Sequence, residues 1–341
     1  MDLTSIIILN YNGGKHLIEC VESVFKTKDS PLEVILIDNN STDKSQTVCK
    51  EKFPDIKLIQ NDYNIGLSAR NLGIEQSKGE YIVFLDSDTV VDTNWLNILL
   101  DSYKKNGDGL YQPKLREKDR KNMINSAGNM INVFGLGFSR GKGEEDKGQY
   151  DQFQTIGYTS GACTFSSIET IKKIGKIDEI FFAYHDDLDF GWRGWLLGIP
   201  SNYEPKSLVY HFGSPTLKWS EKKFFYLERN RWICLLTLYS IKTQIKIFPF
   251  LVMLEIGIFF YLLSKGYGKS KISSFISLIK LRKKIQEKRK EIEQNRKRED
   301  REIIKNFESD YEIPTAIQDS KSQKIQRKFI MKLSNIAKSI I

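Results

Sequence analysis

Over residues 3–91 short apolar runs alternate with stretches of helical spacing. Ser5–Leu9 (SIIIL), Val34–Ile37 (VILI), Ile56–Ile59 and Tyr81–Leu85 (YIVFL) have the continuous, β-branched or aromatic character of buried strands. Between them, His16–Phe25, Asp43–Phe53 and Leu67–Ser77 place apolar residues three and four apart, as helices do. Apolar strands separated by helices predict an α/β fold with a mostly parallel sheet covered on both faces. Ligands of such sheets bind outside the carboxyl ends of the strands. Here those ends read Asn10-Tyr11-Asn12, Asp38-Asn39-Asn40, Asn61-Asp62 and Asp86-Ser87-Asp88. One polar strand end means little, but four on one edge make a site.

Further along, the pattern loosens. Residues 105–155 are rich in Gly, Asn and charge and read as a loop-rich connection with a β-ribbon. Tyr158–Ser166 is a strand, Ile168–Ile174 a helix, and Lys206–Tyr210 a strand leading to His211. After about residue 218, Phe224–Tyr239 is a helix that mixes aromatics with Arg229 and Arg231. Ile247–Leu263 is an apolar run of 17 residues holding Pro249 and Glu255. A membrane span needs about 20, so a span or re-entrant hairpin, an interfacial helix and a packed soluble helix all remain open. Leu281–Phe307 is a charged helical stretch. In Ile325–Ile340 one stripe carries Ile325, Phe329, Leu333, Ile336 and Ile340, with Lys321, Lys324, Arg327, Lys328, Lys332 and Lys338 around it. A basic amphipathic helix suits an anionic membrane surface, or docks on its own body.

Charge sharpens this division. The chain has 341 residues and a net charge of +9, but residues 265–341 hold 21 Lys+Arg against 10 Asp+Glu, and residues 1–264 hold 31 against 33. A basic tail follows a nearly neutral body. The domain organisation expected is a catalytic domain at 1–217, a helical, apolar membrane-proximal segment at 218–280 and a basic helical tail at 281–341. Four scattered cysteines with no CxxC pair argue against a disulfide framework or zinc site and fit a reducing compartment. The start, Met1-Asp2-Leu3-Thr4, has no basic region ahead of an apolar one, so no signal peptide is expected.

The chemistry concentrates at Asp86-Ser87-Asp88. Residues two apart in an extended segment point to one side, so the two carboxylates converge where they can hold a divalent cation against a diphosphate. Hard oxygen ligands suit Mg²⁺ or Mn²⁺. With TSIIILNYNGG (4–14), EVILIDNNSTDKS (33–45), NDYNIGLSARNLGI (61–74), GEYIVFLDSDTVV (79–91), SGACTFSSIETIKKIGKIDEIFF (160–182) and HDDLDFGWRGWLLG (185–198), the chain resembles a family 2 glycosyltransferase of the GT-A fold, of the rhamnosyltransferase-like branch. The resemblance covers about residues 3–240.

That resemblance implies roles. Asn10, Tyr11 and Asp38 would hold the base and ribose of a nucleotide-sugar donor, with Tyr11 stacking on the ring and Asp38 accepting from a pyrimidine N–H. Arg70, Asn71 and Asp86 would face the nucleotide-sugar. Asp86 and Asp88 would bind the metal, with His211 of VYHFG as a further ligand, whereas His16 reads as ordinary helix surface. The family's base lies in a Glu-Asp pair ahead of an Arg. HDDLDFGWR aligns Asp187 with it and puts Asp186 where Glu is usual. Asp189 is the alternative base or orients Arg193. Gly161, Ala162 and Arg193 would line the acceptor side. The reaction implied is inverting transfer from a nucleoside-diphosphate sugar to a glycan or lipid-linked acceptor, at the cytoplasmic face of the cell membrane, with the basic segment against anionic lipid.

Other classes fit less well. A polyprenyl-phosphate sugar synthase, within the same fold, would carry a clear pair of C-terminal spanning helices. A nicotinamide dehydrogenase would carry GxGxxG where this chain reads NYNGGKH. The tail has no aromatic-rich platform for nucleic acid, and no nucleic-acid partner is expected. A non-catalytic, membrane-associated nucleotide-binding homologue would have little use for intact DSD and HDDLD segments.

Overall fold

The structure is a computed structural model that describes residues 2–212, 220–311 and 321–341. The boundary expected at 217/218 and the side chain of Lys321 lie outside the described residues. The strands are β1 (Thr4–Asn10), β2 (Leu32–Asp38), β3 (Lys57–Gln60), β4 (Tyr81–Asp86), β5 (Thr89–Val91), β6 (Leu110–Glu117), β7 (Ile124–Ser126), β8 (Asn129–Ile131), β9 (Gly137–Ser139), β10 (Gln154–Ile156), β11 (Cys163–Ser167) and β12 (Ser201–His211). The helices of the first 200 residues are α1 (Gly14–Phe25), α2 (Ser45–Lys52), α3 (Arg70–Gln76), α4 (Trp95–Asn106), α5 (Ile168–Ile174) and α6 (Asp186–Leu197). Those that follow are α7 (Glu221–Leu238), α8 (Ile241–Ser264), α9 (Gly268–Lys280), α10 (Arg282–Asn295), α11 (Asp300–Ile303) and α12 (Lys321–Ile340).

The main sheet runs β10-β12-β6-β11-β4-β1-β2-β3. β4, β1, β2 and β3 are parallel neighbours. β11 enters antiparallel between β4 and β6, so the parallel half ends at β4 and the sheet beyond it is mixed. Side chains of β1 feed two cores. Ile6 and Ile8 pack under α1, α2 and α4, while Ile7 and Leu9 pack towards α5 and α6. Both faces are covered, which is why SIIIL has no polar alternation.

β6 does not read as a strand. Its sequence is LYQPKLRE, and Lys114 is buried inside it against Asp146 (3.0 Å) and Asp151. The acids arrive from the 146–151 loop, so a buried cation mid-strand is paid for only after folding. β11 is shorter than expected, because residues 158–162 turn into the cleft before the ladder begins.

The C-terminal helices do not stand apart. Leu188, Trp192 and Trp195 of α6, Leu235 and Leu238 of α7, Leu251 and Leu254 of α8 and Leu333 of α12 belong to one core. Glu255, the acid in the apolar run, turns inward. It meets Arg231 of α7 and Lys271 of α9, and Glu228 of α7 completes a closed set of two cations and two carboxylates. Burial raises the cost of each charge, and the two cations still hold Glu228 below the usual carboxylate range. Glu255→Ala is expected to cost about 3–5 kcal/mol, since it leaves two buried cations sharing the single carboxylate of Glu228. Urea denaturation at neutral pH measures it, and a loss below about 1 kcal/mol would mean that the set is not closed in solution.

Candidate active site

The edge where β1, β2 and β4 end is built from side chains that hold one another. Asn10, fully buried, donates from Nδ2 to Asp38 Oδ1 (2.9 Å), Ser41 Oγ (3.0 Å) and Ser45 Oγ (3.1 Å). Asp38 Oδ2 accepts from the Ser41 backbone N–H (3.0 Å). Asn10 therefore orients Asp38 and the 38–45 turn rather than offering itself to a ligand, while Tyr11 projects with 47% of its surface exposed.

Deeper in the cleft, Arg70 opens α3 and is 2% exposed. Its Nη2 donates to Asp86 Oδ1 (2.5 Å) and to the Gly161 carbonyl (2.9 Å), and its Nη1 lies 3.9 Å from Asp186 Oδ2. The backbone N–H of Gly161 in turn donates to Asp187 Oδ2 (3.1 Å). One chain of contacts thus links the DSD segment to the acidic start of α6. A Cβ at Gly161 would meet Arg70 Nη1 at 3.4 Å and Asp187 Oδ2 at 3.7 Å, ordinary contact distances. Ala162 is buried beside it and its carbonyl accepts from the Asp86 N–H (3.1 Å).

Asp86 ends β4, and Ser87-Asp88 form a tight turn into β5. β12 pairs with β5 and sets His211 opposite Thr89. His211 Nε2 lies 3.3 Å from Asp88 Oδ1, and its Nδ1 meets Asn125 Oδ1 at 3.2 Å. Among the described residues, Asp86, Asp88 and His211 are the group able to offer a metal one ligand atom each, all within 4.8 Å of one another. Two carboxylates and an imidazole, whose other nitrogen already has a polar partner, fit a divalent cation. Burial pushes Asp86 up to about 6 against the pull of Arg70, although 31% of its side chain remains exposed at the cleft floor. Asp88 is half-buried; loss of solvent would raise it, but the hydrogen bond from His211 holds it below the usual range. His16 is not plain helix surface. Its ring packs on Phe212 with centroids 4.0 Å apart, at the rim beside Asp88.

The three acids of HDDLD separate by environment. Asp186 is buried, and burial together with the charge of Asp187 pushes it up to about 8. Asp189 is fully buried and bound to Arg193 (2.8 Å) and Lys288 of α10 (3.1 Å), leaving no face for a substrate. Arg193 also donates to the Ile174 (2.6 Å) and Lys176 (2.9 Å) carbonyls. Asp187 is the one of the three that is only half-buried; its oxygens accept from the N–H groups of Gly161 (3.1 Å) and Leu188 (2.8 Å), and burial still raises it against them. Asn71 exchanges two hydrogen bonds with the Ile177 backbone (2.8 and 2.9 Å). The structure thus brings Tyr11, Asp38, Arg70, Asp86, Asp88, Gly161, Ala162, Asp187 and His211 to one cleft. It turns Asn71 and Arg193 towards a second cleft beside α10 and buries Asp189 between Arg193 and Lys288.

The site also depends on residues whose role was not legible. Phe182, Tyr184 and His185, just ahead of α6, adopt left-handed φ of 61°, 65° and 62°, a conformation that costs a non-glycine residue about 1–3 kcal/mol. Asn230 of α7 holds them there. Its Nδ2 donates to the carbonyls of Phe181 (3.0 Å), Ala183 (2.7 Å) and Tyr184 (2.7 Å), and Arg229 donates to Ile180 (2.9 Å) and Phe181 (2.8 Å). The Phe182 carbonyl accepts from Leu67 N–H (2.9 Å), and any Cβ at Gly66 would lie 2.1 Å from it. The only trace in the sequence is a run of four polar residues, Glu228-Arg229-Asn230-Arg231, between the aromatic and aliphatic halves of the helix.

The family model for "Glycosyl transferase family 2" matches residues 5–175, half of the chain. The chain belongs to glycosyl transferase family 2. Among curated relatives of this family 2 glycosyltransferase, glycosyltransferase GlyG of Streptococcus pneumoniae is 36% identical over 102 residues, 29% of this chain and 34% of that protein. The match therefore spans about a third of that relative. The N-acetylglucosaminyl-diphospho-decaprenol L-rhamnosyltransferase of Mycobacterium tuberculosis is 25% identical over 233 residues, 62% of this chain and 76% of that one. Two solved structures share the GT-A fold. GalNAc-T7 with UDP, GalNAc and Mn²⁺ superposes with a TM-score of 0.54 at 18% identity, over 68% of this chain and 48% of that one. TarS of S. aureus gives 0.51 at 18% identity, over 72% and 42%.

Proposed function

We propose that the protein is an inverting, divalent-metal-dependent glycosyltransferase. It moves a sugar from a nucleoside-diphosphate sugar to a hydroxyl of a glycan or lipid-linked acceptor in cell-surface polysaccharide or glycan synthesis. One observation carries the reading: Asp86, Asp88 and His211 lie on one side of a cleft whose other side presents the partly exposed Asp187, joined through Arg70 and Gly161. The mycobacterial relative takes, by its name, a lipid-linked amino sugar, which supports an acceptor of that kind.

In this reading Tyr11 stacks on the base of the nucleotide and Asp38 accepts from it. Asp86, Asp88 and His211 would hold the divalent cation, which supplies charge neutralisation at the departing diphosphate. The acceptor hydroxyl oxygen bonds to the anomeric carbon from the face opposite the diphosphate. Its proton passes to an Asp187 carboxylate oxygen, and the electron pair of the broken C–O bond leaves with the diphosphate. A base raised by burial is a better proton acceptor than an ordinary carboxylate. Burial and the charge of Asp187 push Asp186 towards its neutral form, which lessens the repulsion on Asp187.

A thermal-shift screen of nucleoside diphosphates and nucleotide-sugars, with and without Mn²⁺, tests the reading. One nucleotide series is expected to raise the Tm in a Mn²⁺-dependent way, because a ligand that binds the native state stabilises it. No shift with any nucleotide would overturn the donor assignment. Asn230→Ala is expected to lower kcat about 10- to 100-fold with little change in donor KM, since it loosens the segment that aims Asp187. An unchanged kcat would remove Asn230 from that role.

Membrane association at the cytoplasmic face is part of the proposal. α12 docks through Leu333, Ser334 and Ala337 and leaves Lys324, Lys328 and Lys332 exposed. Deleting it would open the core, so charge reversal is the cleaner test. Lys324→Glu, Lys328→Glu and Lys332→Glu together are expected to weaken binding to anionic vesicles about tenfold or more, at about 1 kcal/mol per basic residue near the surface. Equal flotation of variant and wild type would discard the tail as an address.

A further inference from the structure

Among the described residues, thirteen of the 23 exposed large apolar side chains lie on α8 and α9. On α8, Ile241, Ile245, Phe248, Val252, Ile256 and Phe260 recur at steps of three or four and form one outward stripe, with Ile245 70% and Phe260 62% exposed. On α9, Ile272, Phe275, Ile276 and Ile279 do the same, with Ile279 65% exposed. A tight turn at 265–267 joins the two helices and they pack side by side. Monomeric soluble proteins rarely leave so much apolar surface uncovered without a partner for it.

Charge says which partner. Over residues 241–281 Glu255 is the single acid, and it is turned inward onto Arg231 and Lys271. Lys242, Lys246, Lys265, Lys269 and Lys280 are exposed around the apolar stripe. Glu293 and Glu299 approach the face only at its Ile241 end. An apolar face whose own two helices expose lysines and no acid complements an anionic bilayer, with the lysine stems lying along the acyl boundary and their ammonium groups among the headgroups.

The same contacts decide how the face meets the membrane. α8 is the one helix among the described residues long and apolar enough to cross a bilayer. Its inner stripe, Ile247, Leu251 and Leu254, is nevertheless buried in the protein core. Its start is tied to the body where Ser240 N–H donates to Asp300 (2.9 Å). Its end turns directly into α9, which Lys271 fastens to Glu228 of α7. With 13 residues, α9 is about 20 Å long and could not return across a hydrocarbon core of about 30 Å. We infer that α8 and α9 form a monotopic docking face that lies in the plane of an anionic bilayer and does not cross it.

Flotation of the full-length chain with phosphatidylglycerol/phosphatidylcholine vesicles and with phosphatidylcholine vesicles tests this. Wild type is expected to float with the anionic vesicles, less with the neutral ones, and less at 0.5 M than at 0.1 M salt. Ile256→Glu with Ile276→Glu should reduce the bound fraction at least tenfold while leaving the circular dichroism spectrum and Tm unchanged. Lys265→Glu with Lys269→Glu should abolish the preference for anionic lipid. Alkaline carbonate is expected to release the protein from cell membranes, and retention after carbonate would overturn the in-plane arrangement. The face is misassigned if wild type does not float. It is also misassigned if Ile256→Glu/Ile276→Glu floats like wild type while reversal of Lys324, Lys328 and Lys332 alone removes binding. Sedimentation showing a dimer that Ile256→Glu disperses, with no vesicle binding, would give the face to a second copy of the chain instead. These outcomes are read without donor or acceptor, so they stand or fall apart from the glycosyltransferase reading.

Discussion

Asp187→Asn is expected to lower kcat by roughly 10²–10⁴-fold, the usual worth of a positioned general base, while nucleotide binding stays near wild type. The side chain keeps its size, and its remaining oxygen still accepts from the Gly161 N–H, at the cost of the bond that Oδ1 accepts from the Leu188 N–H. What is lost is the capacity to take the acceptor's proton. Single-turnover transfer and nucleotide titration, run side by side, separate the two. Transfer retained with weakened nucleotide binding would move the base elsewhere. The pH profile gives a second readout. Burial raises Asp187 above the usual carboxylate range, and the base acts only when deprotonated. Activity should therefore fall on acidification with a midpoint above that of an ordinary aspartate. A midpoint at or below the ordinary value would mean that a more exposed carboxylate is the base.

Asp88→Ala is expected to remove essentially all turnover, on the order of 10³-fold or more, because neutralising the leaving diphosphate is worth several kcal/mol. In wild type, EDTA should do the same and Mn²⁺ should restore it. The variant should also change the titration of His211. Burial would lower that imidazole, and the Asp88 hydrogen bond raises it above its ordinary value, so without Asp88 the imidazole should titrate lower by NMR. Turnover in EDTA equal to that in Mn²⁺ would remove the metal from the proposal. The contrast with Asp187→Asn is informative, since Asp88→Ala should also weaken Mn²⁺-dependent nucleotide binding.

Within the acidic segment HDDLD, residue order could not choose among three aspartates. Their environments do. Asp189 is neutralised by Arg193 from its own helix and by Lys288 from a helix 99 residues away. Asp186 lies under Arg70. Only Asp187 reaches the cleft. The same long-range logic removed Asn71 and Arg193 from the site, because their partners, the carbonyls and N–H groups of residues 174–177, have no signature in sequence. It also added Asn230, which acts on a segment 46–49 residues earlier.

By itself the sequence determined the family, the parallel half-sheet and its polar strand ends, because those depend on local periodicity and on motifs whose parts are near neighbours. SIIIL, VILI and YIVFL can only be buried strands, and DSD after such a strand can only sit at its carboxyl end. Tertiary structure alone decided how β6 could bury Lys114, which carboxylate faces the cleft, and whether Glu255 is a cost or a tie. Each of these turns on a charge whose partner arrives from a distant element. A buried charge is unfavourable until that partner is in place, and nothing adjacent in the chain says that it will be.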